Sequence, residues 1–351
     1  MGVRPGQADR GGVMLTGMSS LTASIFAHEL FLKRASLFRL GFSRRDISSA
    51  VAAGSILRVR KGWYTLPNTP SIAIESFRIG GRLTGLSAFK SYGFWTPSTA
   101  KLHVTVPRDA RALRRPRDMY TRLEPRDRQH CTITWTDERA ARDSECPWRT
   151  SVIDSLVHIL RHEGRVSSIV CLDSALNAAM HGQPGIDEDD LDVIFARAPL
   201  FAQSWRAEVD GRSGAGGETV FRLNCTDAGI PFVPQPYVAG AGYLDGQIGP
   251  HTFVEIDGKL WHDSPEAHEV DVHRDAVVVS QHGAVLRFTY ELIRYSWTLI
   301  EAAMLAAIED DWKLNAPSQF PPFPWRPTAP RKPRPLRRAR AARRNGRHST
   351  A

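Results

Sequence analysis

Between Gly242 and Asp257 the chain carries two short segments, GYLDGQI and TFVEI, separated by a loop around Gly249 and Pro250. Turn residues between two apolar-rich stretches predict an antiparallel hairpin. If Ile248 pairs with Thr252, Asp245 falls directly opposite Glu255, with Cβ atoms roughly 5 Å apart. Like charges at that spacing are destabilising, so the pair calls for a shared proton, a cation or a bound metal. Asp257 lies two residues beyond Glu255 and so points to the same face, adding a third oxygen donor. Lys259 and His262 follow within reach. Such an oxygen-rich cluster suits Mg²⁺ or Mn²⁺, holding a phosphate and activating a water for in-line attack. The alternative is a solvent-facing acidic edge, which a one-residue slip in register would produce.

The surrounding pattern predicts an α/β unit over residues 211–312. A glycine-rich linker, DGRSGAGG, leads into a helix near ETVFRLNCTDAG, with Glu218 and Arg222 spaced i, i+4. After the hairpin, PEAHEVDVHRDAVVVSQH has helical length, Gly283 caps it, and AVLRFT returns as a strand. His251, His262, His268, His273 and His282 form no zinc-type spacing, and no cysteine joins them.

At the other end, residues 21–68 predict a winged helix-turn-helix. Ser43 with Asp46 three residues on reads as a capped helix start, and Ile47, Val51 and Ala52 give that helix its buried face. The stretch ILRVRKGWYTL alternates apolar with basic residues and breaks at Lys61 and Gly62, as a hairpin would. Arg44 and Arg45 then stand at the start of the second helix, and Arg58, Arg60 and Lys61 on the wing, where such a fold meets DNA phosphates. Residues 69–210 read as a mixed α/β middle region with a helical stretch near GGRLTGLSAFKSYGF, a strand at 102–106 and three later helices. No nucleophile elbow or phosphate loop occurs there, and Asp154 and Asp173 read as acceptors of local hydrogen bonds.

Charge is unevenly distributed. Ten of the 46 Lys and Arg fall in residues 326–351, which hold no acid, so the remaining chain has 36 basic against 37 acidic residues. A basic Pro-rich tail over 313–351 is expected to be disordered and drawn to polyanions. Residues 1–20 are expected to be a disordered leader, with Met14 or Met18 as alternative starts. The longest apolar runs fall short of the roughly 20 residues a bilayer span needs, and four cysteines without CxxC spacing fit a reducing cytoplasm.

The segment SRRDISSAVAAGSILRVRKGWYTLP resembles the winged-helix domain of AbiEi-type antitoxins, and RLTGLSAFKSYGF, LHVTVP and TSVIDSLVHI are similar to the part that follows it. GETVFRL, GYLDGQI, VEIDGKLWHD, VDVHRD and AVLRFTY together resemble the very-short-patch-repair endonucleases, a branch of the PD-(D/E)XK nuclease fold. The second resemblance implies that Glu218 is the helix acid, Asp245 the metal-binding aspartate of the second strand, and Glu255 the acid of the third. It also implies that Trp261 and His262 form the Trp-His pair, with His262 transferring a proton, and that Arg274 and Asp275 give structural support. Position 257 departs from the wider fold, being Asp where a lysine is usual, and Lys259 is the nearest lysine. The implied protein binds double-stranded DNA and cleaves phosphodiester bonds with Mg²⁺, in a toxin–antitoxin, phage-defence or repair setting. The alternative is an AbiEi-like antitoxin and repressor with a catalytically silent nuclease fold, partnered by a cognate toxin.

Overall fold

The structure, a computed structural model, describes residues 20–28, 30–98, 100–137, 146–214, 216–257, 265–314 and 318–324. Lys259, Trp261 and His262 lie outside the described residues, as do 1–19 and 325–351. The chain is mixed α/β, and no helix among the described residues is long and apolar enough to cross a membrane.

The first unit runs α1 (Ser20–Ala27), β1 (Phe31–Lys33), α2 (Arg34–Arg39), α3 (Arg44–Ala52), β2 (Leu57–Arg60) and β3 (Trp63–Thr65). Ser43 caps α3 as its sequence demands: its hydroxyl accepts from the Asp46 amide at 3.2 Å, and the Asp46 carboxylate accepts from the Ser43 amide at 2.7 Å. Gly62, at φ +77°, makes the tight turn between β2 and β3, a conformation that favours glycine. The strands pair antiparallel in the order β1-β3-β2. β1 was not foreseen, because three residues are too few to show alternation. Ile25, Leu37, Ile47 and Ile56 close the core beneath.

The middle region comprises α4 (Ser71–Ile79), β4 (Arg82–Leu83), α5 (Gly85–Ser91), β5 (Leu102–Pro107), β6 (Cys131–Thr136), α6 (Val152–His162), α7 (Arg165–Met180) and α8 (Glu188–Ala196). The helix expected over GGRLTGLSAFKSYGF is thus preceded by a strand: Arg82 and Leu83 pair with Thr105 and Val104. Leu156, Ile159 and Leu160 of α6 pack with Cys171 and Leu172 of α7 and with Leu191 and Ile194 of α8.

The carboxyl-terminal unit runs α9 (Gly216–Ala228), β7 (Val233–Pro234), β8 (Tyr237–Val238), β9 (Gly242–Tyr243), β10 (Gly246–Gln247), β11 (Thr252–Asp257), α10 (Pro265–Ser280), β12 (Ala284–Thr289), α11 (Tyr290–Tyr295) and α12 (Trp297–Leu314). Its main sheet has the order β12-β11-β10-β7, with β11 and β12 parallel across the α10 crossover and the other pairs antiparallel. β11 alternates between two cores. Val254 faces Phe221 of α9 and Met304 of α12, while Phe253 faces Val278 of α10. Each buried phenylalanine contributes about 1.5–3 kcal/mol. At the end of α10 the left-handed residue is His282, at φ +64°, and not the expected Gly283.

The expected boundary at residue 312 falls inside this unit. α12 continues through Leu314, and 318–324 pack back onto the domain. Phe320 lies 5.0 Å from the Phe253 ring, Gln247 Nε2 donates to the Pro321 carbonyl at 3.1 Å, and Ser318 donates to the Pro250 carbonyl at 3.0 Å.

α7 and α9 join the middle and carboxyl-terminal units. The buried Asp173 carboxylate accepts from Arg222 at 2.7 Å, from Thr219 at 2.8 Å and from the Asp210 amide at 2.8 Å. These partners are remote in sequence, so Asp173 is an interdomain anchor where local bonds were expected. Desolvation pushes its carboxyl up to about 6, against the opposing pull of Arg222.

Candidate functional site

The β10–β11 hairpin has the expected register. Gly246 pairs with Val254 and Gln247 with Phe253, while the Ile248 amide donates to the Thr252 carbonyl at 2.9 Å. One step further along this ladder, Asp245 and Glu255 oppose each other and their side chains hydrogen-bond. Asp245 also accepts from the Ile256 amide at 2.7 Å, which fixes its direction toward β11.

Burial and mutual repulsion favour a proton shared by the pair. Burial, followed by the charge of Asp245, pushes the Glu255 carboxyl up to about 8, and Arg274 and Arg287 only partly offset this. Asp245 is also raised by burial, but the Ile256 amide and the bond from Glu255 favour its charged form. Both carboxyls are thus pushed up, Glu255 the more, so the pair retains a proton near neutral pH. Because the folded value of about 8 exceeds the ordinary value of 4.5, the folded chain keeps a proton that the unfolded chain loses over that interval. The stability contributed by this group is complete below 4.5 and is lost as pH rises through 8. Denaturant titrations in EDTA between pH 5 and 8 should show stability falling, with a shallower fall for Glu255→Gln; equal slopes would contradict the shared proton.

Arg274 of α10 lies beside the pair. It donates to the carbonyls of Ala241, at 3.0 Å, and Tyr243. Its Nη2 lies 3.2 Å from Glu255 Oε1, an ion-pair separation without hydrogen-bond alignment, so that buried oxygen accepts no aligned donor. Two adjoining carboxylates match the one or two that a hard divalent cation takes alongside a substrate phosphate, although Glu255 Oε1 already faces the Arg274 guanidinium.

Asp257 does not complete a cage. Its carboxylate pairs with Arg287 Nη1 at 3.1 Å, and Arg287 also takes both oxygens of Asp275, at 2.9 and 2.8 Å. Among the described residues no group of three His, Cys, Asp or Glu is arranged to hold a metal. Glu218 stands in the first turn of α9 and is buried, accepting from the Gly214 amide at 2.8 Å and from Gln235 Nε2 at 3.0 Å. The Gln235 amide donates to the Asp245 carbonyl at 3.2 Å, so Gln235, which sequence reasoning missed, links the helix acid to the pair.

In the first unit Arg44, Arg45, Arg58 and Lys61 are exposed. Arg60 points elsewhere. Its Nη2 donates to the Ala112 carbonyl at 3.3 Å, and a Cβ at Gly80 would fall 1.9 Å from its Nη1, so its guanidinium rests against the middle region. Lys33 and Arg34, also missed from sequence, line a cleft of about 360 Å³ with Phe38, Lys61 and Trp63. The Arg34 amide donates to the Gly62 carbonyl at 2.8 Å, tying the turn between β2 and β3 to α2. A second cleft, of about 860 Å³, is lined by Glu75, Lys90, Arg115 and Arg117 of the middle region. Neither cleft is lined by the carboxylate pair.

No protein-family model matches the chain, and no curated protein matches it either. Its own residues must carry any functional assignment.

Proposed function

We propose that this chain binds double-stranded DNA through an amino-terminal winged helix and that its carboxyl-terminal domain is a Mg²⁺-dependent endonuclease of the PD-(D/E)XK type. The observation that carries the enzymatic half is the Asp245–Glu255 pair, because two carboxylates facing each other in a largely buried hairpin weaken the fold unless a cation or proton joins them. The sequence α9-β7-β10-β11-α10-β12 around it, with β12 parallel to β11, supports that nuclease fold. Mg²⁺ or Mn²⁺ bound there would neutralise charge on the phosphodiester and lower the pKa of an attacking water. Asp245, oriented by the Ile256 amide, and Glu255 would be its protein ligands. The pair must give up its proton first, and Arg274 keeps the ionised pair from repelling itself.

The DNA-binding half rests on helix, strand, helix, helix, strand, strand order in the first unit and on exposed cations at the start of α3 and at the β2–β3 turn. Arg60 is left out of that surface because its guanidinium lies against the middle region. Arg45→Ala with Arg58→Ala should weaken duplex binding about tenfold or more and flatten its salt dependence by about two phosphate contacts. Fluorescence anisotropy over a salt series measures both, and unchanged affinity would remove this surface.

A second reading is favoured by one observation: Arg287 engages Asp257 and Asp275, so the position where the wider fold carries a lysine supplies no free cation. On that reading the domain is a silent scaffold in an antitoxin-like repressor. Plasmid incubated with Mg²⁺ or Mn²⁺ separates the two, since the repressor protects its site without cutting.

A further inference from the structure

Tyr237 on β8 and Tyr243 on β9 oppose each other directly across a two-stranded ribbon. Their rings lie 5.2 Å apart at 67°, and the residues are 57% and 63% exposed. The ribbon is anchored by its inward residues: Val238 and Ala241 are buried with Leu244, Phe253 and Val278. Both rings stand on its outer side. Their position relative to the carboxylates is set by Arg274, whose Nη2 donates to the Tyr243 carbonyl and lies 3.2 Å from Glu255 Oε1. One guanidinium thus separates the Tyr243 backbone from the carboxylate pair, and Asp245 itself follows two residues later.

We infer that Tyr237 and Tyr243 form a stacking platform for an unpaired nucleobase beside the Asp245–Glu255 pair, so that the site prefers single-stranded or locally unpaired DNA. The inference rests on the phosphodiester-site reading given above. Exposed aromatic rings bind bases of any sequence, because every base offers a π face. In an intact duplex those faces are covered by neighbouring base pairs, leaving the platform nothing to stack upon.

The test uses the full chain in EDTA with two fluorescein-labelled probes, a 20-nucleotide oligothymidylate and a duplex of equal length. Tyr237→Ala with Tyr243→Ala should weaken oligothymidylate binding about tenfold, leaving duplex affinity within about twofold, while the Tyr→Phe pair keeps both. The double alanine variant binding oligothymidylate as tightly as the parent, or losing both probes equally, overturns the platform. A parent chain that binds duplex but not oligothymidylate overturns the platform alone; one that binds neither overturns the proposed function with it. Because the alanine pair also removes the ribbon's cross-strand contact, photocrosslinking of the unaltered protein to 5-iodouracil oligonucleotide gives an independent readout. Adducts on Tyr237 or Tyr243 are expected, and adducts confined to other residues contradict the inference.

Discussion

Asp245→Ala should lower Mg²⁺-dependent cleavage of plasmid by at least a hundredfold, while duplex affinity stays within about twofold of the parent. The size follows from removing one of the two ligands proposed for an ion that would activate the attacking water, a loss on the order of 10²–10⁴ for groups acting at the reacting centre. Affinity is expected to be spared because the cations proposed to contact DNA, on α3 and the β2–β3 turn, belong to a separate unit. Asp257→Ala is the informative companion. Its carboxylate is engaged by Arg287 and does not join the pair, so this variant should keep most of the activity. Equal losses in both variants would mean that the acids act through general charge on the sheet and not as a ligand pair. Quantitative gel assays of nicked and linear product, with Mg²⁺ replaced by EDTA as the blank, measure the effect.

Asp173→Ala should be strongly destabilising, costing about 3–5 kcal/mol, because it leaves Arg222 buried without its counter-charge. Thr219 and the Asp210 amide lose their acceptor in the same step. Thermal unfolding followed by circular dichroism should drop by roughly 10 °C, given about 2–4 °C per kcal/mol for chains of 150–250 residues. Asp173→Leu combined with Arg222→Met, which removes both charges at similar volume, should recover much of the loss. If the double variant is no better than Asp173→Ala, the ion pair is not what holds α7 to α9. The same joint positions Glu218 and Gly214 at the start of α9, so the alanine variant is expected to lower activity through loosened geometry as well.

The features most readable from sequence were those set by neighbours a few residues apart. Ser43 and Asp46 announce the start of α3 because a capping box needs only its own four residues. The Gly249–Pro250 loop and the flanking apolar residues were enough to place Asp245 opposite Glu255, since a hairpin with a known turn leaves one register that buries the correct face. The misses depended on residues far away. β4 and β7 are two-residue strands, the latter containing a proline, and they exist only because β5 and β10 offer them a partner. Arg60 alternates correctly for a wing, yet the bare α-carbon of Gly80 gives its guanidinium a better seat. Asp257 shares a strand face with Glu255, but Arg287, thirty positions on, takes its carboxylate. The segment around Phe320 looked like the root of a solvated tail because composition does not reveal that Phe253 and Gln247 await it.

The most direct test of the carboxylate pair is calorimetric titration of Mn²⁺ into the DNA-free protein at several pH values. One ion per chain should bind, with affinity rising as pH approaches 8 because the ion displaces the proton held by the pair, and Asp245→Asn should abolish the heat. Absence of a saturable site, or a site whose affinity is unchanged in Asp245→Asn, would contradict the account.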